Sequence, residues 1–328
     1  MRRLVILVCL IALMVPVMAY ATERHGTWFD EAIFFEESDQ AKILQMMETG
    51  EAQFFADPFA SENMPAIQDE GLNYKLSYGV FFGYLINVAE FNNGAYNPFH
   101  NQKVRVALNN LVDRDYIVDD IMNGLGVPRV TTVDPGSPVY AEIFETARAV
   151  EIMASYNEDK AIAQIEEGLN EDGCVKGDDG KWYSNGEPVT VIAVICVEDE
   201  RKEMGDYLSD QLGKIGFTVN RLYKAEPEAT LVWVLSAPAD GKWNFYVEDL
   251  CMEEIGMASV CDHTSLYTEM FWPVTFATVW KDNLDPDCRQ ACLDMMNGNY
   301  TTIAERHDML ARAEACTYQS GFHIWLVK

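Results

Sequence analysis

Basic residues are scarce in this chain: 24 Lys and Arg stand against 52 Asp and Glu, a formal charge of −28. Such a surface repels phosphate backbones and anionic lipid heads, which argues against a nucleic acid as partner. Histidine is scarcer still. His25, His100, His263, His307 and His323 lie singly along the sequence. No H-E-x-x-H or C-x-x-C occurs, Cys261-Asp262-His263 is too short to wrap an ion, and the sequence therefore calls for no metal. A G-x-S-x-G nucleophile elbow is missing, and Ser137 in DPGSP has no histidine near it in sequence. GLGVPR at 124–129 lacks the third glycine and the following helix of a phosphate loop. A secreted hydrolase thus has no motif behind it, and no cofactor is expected. Past residue 21 there is no run apolar enough to span a membrane.

The beginning of the chain reads as an export signal. Arg2 and Arg3 precede an apolar run from Leu4 to Val15, and Ala19-Tyr20-Ala21 supplies a small-x-small cleavage pattern, so residues 1–21 are expected to be a signal peptide. The competing reading, an uncleaved anchor, needs about 20 apolar residues, more than this run offers. Cleavage would remove Arg2 and Arg3 and take the charge from −28 to −30. Seven of the eight cysteines would remain, an odd number, and Cys288 and Cys292 are too close along one helix to pair without strain. The full sequence is 49% apolar and 12% aromatic, which points to a globular protein, and the length left after cleavage suits two domains.

Strands alternate with helices, which points to the α/β class. DEAIFFEESDQAKILQMMETGEAQFFAD (30–57) reads as strand, helix, strand, with Ser38 or Asp39 able to cap the helix and Gly50 at its end. An aromatic extended segment follows at 72–91. In NPFHNQKVRVALNNLVDRDYIV (97–118), Val104, Ala107, Leu108, Leu111 and Val112 mark one buried helix face. Asp113 then caps a second helix, with Arg114 expected to pair with a local carboxylate. NEDKAIAQIEEGL predicts a helix, and DDGKWYSNGEPVTVIAVICV a hairpin of two extended runs around Asn185-Gly186, the second, holding Cys196, long and apolar enough to be central in a sheet. A helix and strand over 201–223, a strand in KWNFYVEDL, a late helix and the strand FHIWLV complete the series.

Two features suggest a ligand cleft. Tyr78, Phe81, Tyr84 and Asn87 lie in an aromatic segment whose alternation is expected to expose one set of side chains. Tyr246, Glu248 and Asp249 close an aromatic strand with an acidic pair suited to a cationic group, and Trp272 lies in a second aromatic cluster. Core packing is the competing explanation for each of these eight.

Five ordered segments resemble one family. NPFHNQKVRVALNNLVDRDYIVDDIMNGLGVPR is similar to a segment of the extracellular solute-binding proteins of oligopeptide, dipeptide and nickel ABC transporters. GTWFDEAIFFEESDQAKILQMMETGEAQFFAD, ERKEMGDYLSDQLGKIGFTVNRLYK, ADGKWNFYVEDL and IAERHDMLARAEACTYQSGFHIWLVK resemble further units of it in the same order. The resemblance implies a two-lobed, periplasmic-binding-protein-like fold of type II, with hinge strands that close over a solute. It assigns residues 22–95 and 243–328 to lobe I and 96–242 to lobe II. Since relatives continue past the strand matched by IWLVK, lobe I is expected to be incomplete. The implied function is capture of a small solute, an oligopeptide, dipeptide or nickel-type ligand, outside the cell or in the periplasm. Delivery would be to a membrane permease and its ATPase, with the protein peripheral to the membrane and no catalysis. The alternative is a degenerate module acting in protein–protein interaction. Asp249-Leu250 stands where relatives carry Gly-Trp, and CMEEIG replaces the acidic stretch that holds a peptide amino terminus in some of them.

Overall fold

The computed structural model describes residues 29–76, 80–251 and 283–328. The expected signal peptide, Tyr78 and Trp272 lie outside the described residues. The described residues fall into two compact units, divided between Asp57 and Pro58.

In the first unit, helix α1 (Gln40–Thr49) forms as its sequence dictates. The Asp39 side chain accepts from the Ala41 and Lys42 amides, and Gly50 ends the helix with φ +76°. The strands expected on either side are absent among the described residues. Phe34 is 95% and Phe54 81% exposed. Apolar alternation makes a strand only where a neighbour offers hydrogen bonds, and none pairs with these segments here.

The second unit is built on a five-stranded sheet. Helix α2 (Met64–Asp69) precedes β1 (Val80–Ile86), and α3 (Gln102–Leu111) follows, capped by Asn101. Asp113 caps a short turn, Arg114–Tyr116, which continues as a π-helical turn, Ile117–Ile121. Then come α4 (Phe144–Met153) and α5 (Glu158–Glu171). The small strands β2 (Val175–Lys176), β3 (Trp182–Ser184) and β4 (Glu187–Pro188) make a three-stranded sheet around the Asn185-Gly186 turn. Strand β5 (Thr190–Cys196), α6 (Arg201–Ile215), β6 (Thr218–Lys224), α7 (Glu226–Trp233) and β7 (Phe245–Cys251) come next. Helices α8 (Pro286–Asn297) and α9 (Ile303–Ser320) lead to β8 (His323–Val327).

The strand order is β6-β5-β7-β1-β8, with β5 parallel to β6 and β7 and with β1 antiparallel to both its neighbours. Strands from the segments assigned to lobe I (β1, β7, β8) and to lobe II (β5, β6) thus share one sheet. Cys196 ends β5, fully buried, as the apolar run around it predicts. None of the described helices is long and apolar enough to cross a membrane.

Two arginines of the 97–118 segment act as buried clamps. Arg114 was expected to meet a local carboxylate. Instead its Nε donates to the carbonyls of Trp325 (2.7 Å) and Arg129 (3.0 Å), and Nη1 to those of Asn109 (3.1 Å) and Ala154 (3.4 Å). Nη2 reaches Asn109 Oδ1 at 3.1 Å. Arg105 donates to the carbonyls of Ser320 (2.6 Å) and His100 (2.7 Å). A carbonyl carries only partial charge, so burial prevails and pushes both guanidinium groups down to about 10, still charged at neutral pH. Replacing Arg114 with Ala strips donors from several buried oxygens at once. We expect R114A to lose at least about 3 kcal/mol of unfolding free energy, read as a fall in urea midpoint at unchanged slope.

Glu314 on α9 is buried and accepts from the Thr132 (2.8 Å) and Val133 (3.1 Å) amides. Burial outweighs these donors and pushes its carboxyl up to about 7. A carboxyl raised in the fold holds its proton longer than in the unfolded chain, so this group's contribution to stability declines as pH rises from about 4.5 towards 7. E314Q is expected to flatten that part of the stability profile, measured by thermal melting across pH 4 to 8.

Candidate functional site

Strand β5 is followed in sequence by α6 and β6 on one side of it, while β7 lies on its other side. This reversal makes a topological switch point between β5 and β7, and open α/β sheets bind ligands beside the carboxyl ends of strands at such a point. The residues leaving those ends are Val197 to Arg201 after β5, and Asp249 in the last turns of β7.

Arg201 organises this edge. It is 2% exposed. Its Nε and Nη2 grip Asp199 at 2.8 and 2.7 Å, Nη2 also meets Glu226 Oε2 at 3.0 Å, and Nη1 meets Asp249 Oδ1 at 2.6 Å. Burial works against the charged guanidinium, but Asp199 and Asp249 outweigh it and hold its pKa above the ordinary value. Asp249 shares that one cation with two other carboxylates, so burial raises its carboxyl despite the pairing.

A groove of about 1040 Å³ opens beside this cluster. Its walls are the 60–62 segment, the turn around Tyr116, Tyr156, and the 197–214 stretch containing most of α6. The Ser61 amide donates to Glu200, and Asn123 Nδ2 to Ser61 Oγ at 3.1 Å, which fixes the 60–62 wall against the start of α6. Nine carboxylate side chains line the groove against two lysines, Lys202 and Lys214. Lys202 is bound to Asp206 at 3.0 Å, and Lys214 donates to Gln211 at 3.2 Å. Burial opposes ionisation of Asp206, but Tyr223 and Lys202 hold its carboxyl below the usual value. Tyr207 stacks on Tyr116 with ring centroids 5.3 Å apart, and its hydroxyl accepts from the Asp113 amide at 2.8 Å. Tyr116 and Tyr156 remain 43% and 46% exposed in this acidic setting. Carboxylates beside open aromatic faces suit an organic cation, through Coulomb attraction and cation–π contact.

The residues expected from sequence stand elsewhere. The alternation of β1 exposes neither face, since Phe81 through Ile86 are all buried. Phe81 meets Trp325 edge-on at 5.2 Å and carries Arg129 over its ring at 3.7 Å. Tyr84, on the opposite face, donates to the Met204 carbonyl at 2.7 Å. Asn87 donates to the Pro238 and Trp243 carbonyls, joining β1 to the approach to β7. Tyr246 stacks on Trp233 at 5.1 Å. Glu248 meets His323 Nδ1 at 2.5 Å, the two reaching each other from the strands flanking Gly83. A Cβ at Gly83 would stand 2.9 Å from the Trp325 ring and 3.3 Å from Glu248 Oε1, so this contact depends on the glycine. These five pack the core because β1 lies between two strands with both faces covered. Of the described members of the expected set, Asp249 alone belongs to the switch-point cluster. Arg201, Asp199 and Glu226 were missed. Their acidic and basic residues look like a solvated face in sequence, and only the strand order brings them to one edge.

Residues 26–252 match the family model for bacterial extracellular solute-binding proteins, family 5, middle region. A search of curated proteins finds no match. Among solved structures, NikZ from Campylobacter jejuni in complex with Ni(L-His) is 15% identical with a TM-score of 0.66, over 89% of this chain and 53% of its own. NikA from Brucella suis in complex with Fe(III)-EDTA is 16% identical with a TM-score of 0.65, over 88% and 54%. OppA from Haemophilus influenzae, in complex with RPPGFSPFR, is 13% identical with a TM-score of 0.63, over 88% and 50%. The likeness is one of fold, and the chain spans about half the length of these structures.

Replacing Arg201 leaves Asp199, Glu226 and Asp249 converging on no cation. R201Q is expected to lower the melting temperature at pH 7 by several degrees, and by less than half as much at pH 4, where carboxylates take up protons. Thermal unfolding of both proteins at the two pH values checks this.

Proposed function

Because the chain belongs to the bacterial extracellular solute-binding proteins of family 5, we propose that it is the exported solute-binding component of an ABC importer. In this reading it captures a small cationic solute and hands it to a membrane permease with its ATPase. The signal-like residues 1–21 support export. The unit from residue 58 to 328 supplies one face of the solute site, with the groove beside Arg201 as the part that meets the ligand.

The observation that carries the choice of a cation is the excess of nine carboxylates over two lysines around that groove. The relatives of similar fold include proteins held with Ni(L-His) and with RPPGFSPFR, a peptide with an arginine at each end. Both a metal–amino-acid complex and a basic peptide fit a site of this charge. Tyr116 and Tyr156 offer the aromatic faces on which a guanidinium or a chelate ring would rest. A bound solute stabilises the state that holds it by its differential affinity, which is how capture is converted into closure.

Thermal-shift titration tests the reading. A basic tripeptide such as tri-lysine at about a hundred times its Kd is expected to add about 2.7 kcal/mol of stability, and tri-glutamate none. The effect is expected to shrink with added salt and in D120N/E62Q, which removes two charges from the groove wall. Equal shifts with both peptides, or none with either, would sink the proposal.

A further inference from the structure

Helices α8 and α9 pack side by side and bring three cysteines together. Cys288 and Cys292 lie one turn apart on α8, and Cys316 faces them from α9. Their three sulfurs lie within 4.8 Å of one another. Cys288 and Cys316 are joined as a disulfide, while Cys292, 0% exposed, is left as a thiol beside it. The sequence spacing showed only two of these sulfurs, because the third arrives through the packing of α9.

A thiol next to a disulfide invites exchange, but burial pushes Cys292 up to about 12, so almost no thiolate is present at neutral pH to attack. A soft cation changes that balance, since it displaces the thiol proton directly. The donor set is three sulfurs, with no imidazole or carboxylate among the grouped ligands. Structural zinc takes four ligands, whereas an all-sulfur set of three suits a soft monovalent ion.

We propose that, once the Cys288–Cys316 disulfide is reduced, Cys288, Cys292 and Cys316 form a three-thiolate site for Cu(I). Reduction by a dithiol adds two electrons and two protons to Cys288 and Cys316 and leaves the dithiol as its own disulfide. Cu(I) then forms three Cu–S bonds, and three thiol protons pass to solvent without change in the oxidation state of copper. The site lies on helices away from the Arg201 groove and stands independently of the solute reading.

The full chain, reduced with a phosphine and kept anaerobic, is titrated with Cu(I) against bicinchoninate. The wild type is expected to hold one Cu(I) that C292S holds at least tenfold more weakly. C196S, which removes a buried thiol elsewhere, is expected to match the wild type. Cys292 is outside the disulfide, so C292S can still form the α8–α9 link as it folds, before the phosphine reduces it. X-ray absorption on the copper-loaded wild type gives a reading that needs no variant, with three sulfur neighbours expected. Equal affinity in C292S, two sulfur neighbours, or a disulfide that stays oxidised in the folded chain would each overturn the assignment.

Discussion

The guanidinium of Arg114 holds the second unit together at the point where its parts would otherwise separate. It joins the carbonyls of Asn109, Ala154, Arg129 and Trp325, which belong to the end of α3, the end of α4, the loop after residue 128 and the last strand. A hydrogen bond from a charged donor is worth more than a neutral one, and here several converge where water is excluded. Arginine suits this task because its planar fork serves several acceptors and keeps its charge even when burial lowers its pKa. The nearby Arg105 binds α3 to the end of α9 in the same way.

The clamps fix β8 and the helices around it, while the carboxyl ends of β5 and β7 carry the candidate site. The charges there are arranged in two tiers. Arg201 is sealed among three carboxylates and gives that tier a net negative charge, while the open acids and tyrosines of the groove lie in front of it. An anion would meet repulsion at every approach, and a cation would meet attraction that strengthens as it leaves water.

Much of the fold was legible in the sequence. Helix α3 follows the spacing of Val104, Ala107, Leu108 and Leu111, the cap at Asp113 is plain from local chemistry, and Asp39 is one of two candidates, with Ser38, for the cap it provides. The turn at Asn185-Gly186 and the interior strand ending at Cys196 were plain, but they do not form one hairpin: Glu187–Pro188 pairs across the turn, and Thr190–Cys196 joins the other sheet. The site was much less legible. Alternation in β1 suggests one open face, but an interior strand is covered on both, and a sequence does not say which strands flank it. Glu248 was read as a cleft acid, yet its partner His323 comes from the end of the chain. The sequence pairs Arg114 with a neighbouring carboxylate, whereas three of its five oxygen acceptors are carbonyls brought in by tertiary packing. In each case the missing information was long-range pairing.

That same pairing sets the order of events when the chain is made. Among the described residues, β1 hydrogen-bonds to β7 and β8 and to no strand nearer in sequence, with Val80 opposite Cys251 and Phe82 opposite Val327. Strand β1 can pair with β7 once Cys251 is made, but the β1–β8 edge cannot close until the residues around Val327 have been synthesised, and loop closure across such distances is slow. Until then one side of β1 carries unpaired hydrogen-bonding groups, and β8 finishes the sheet by covering them.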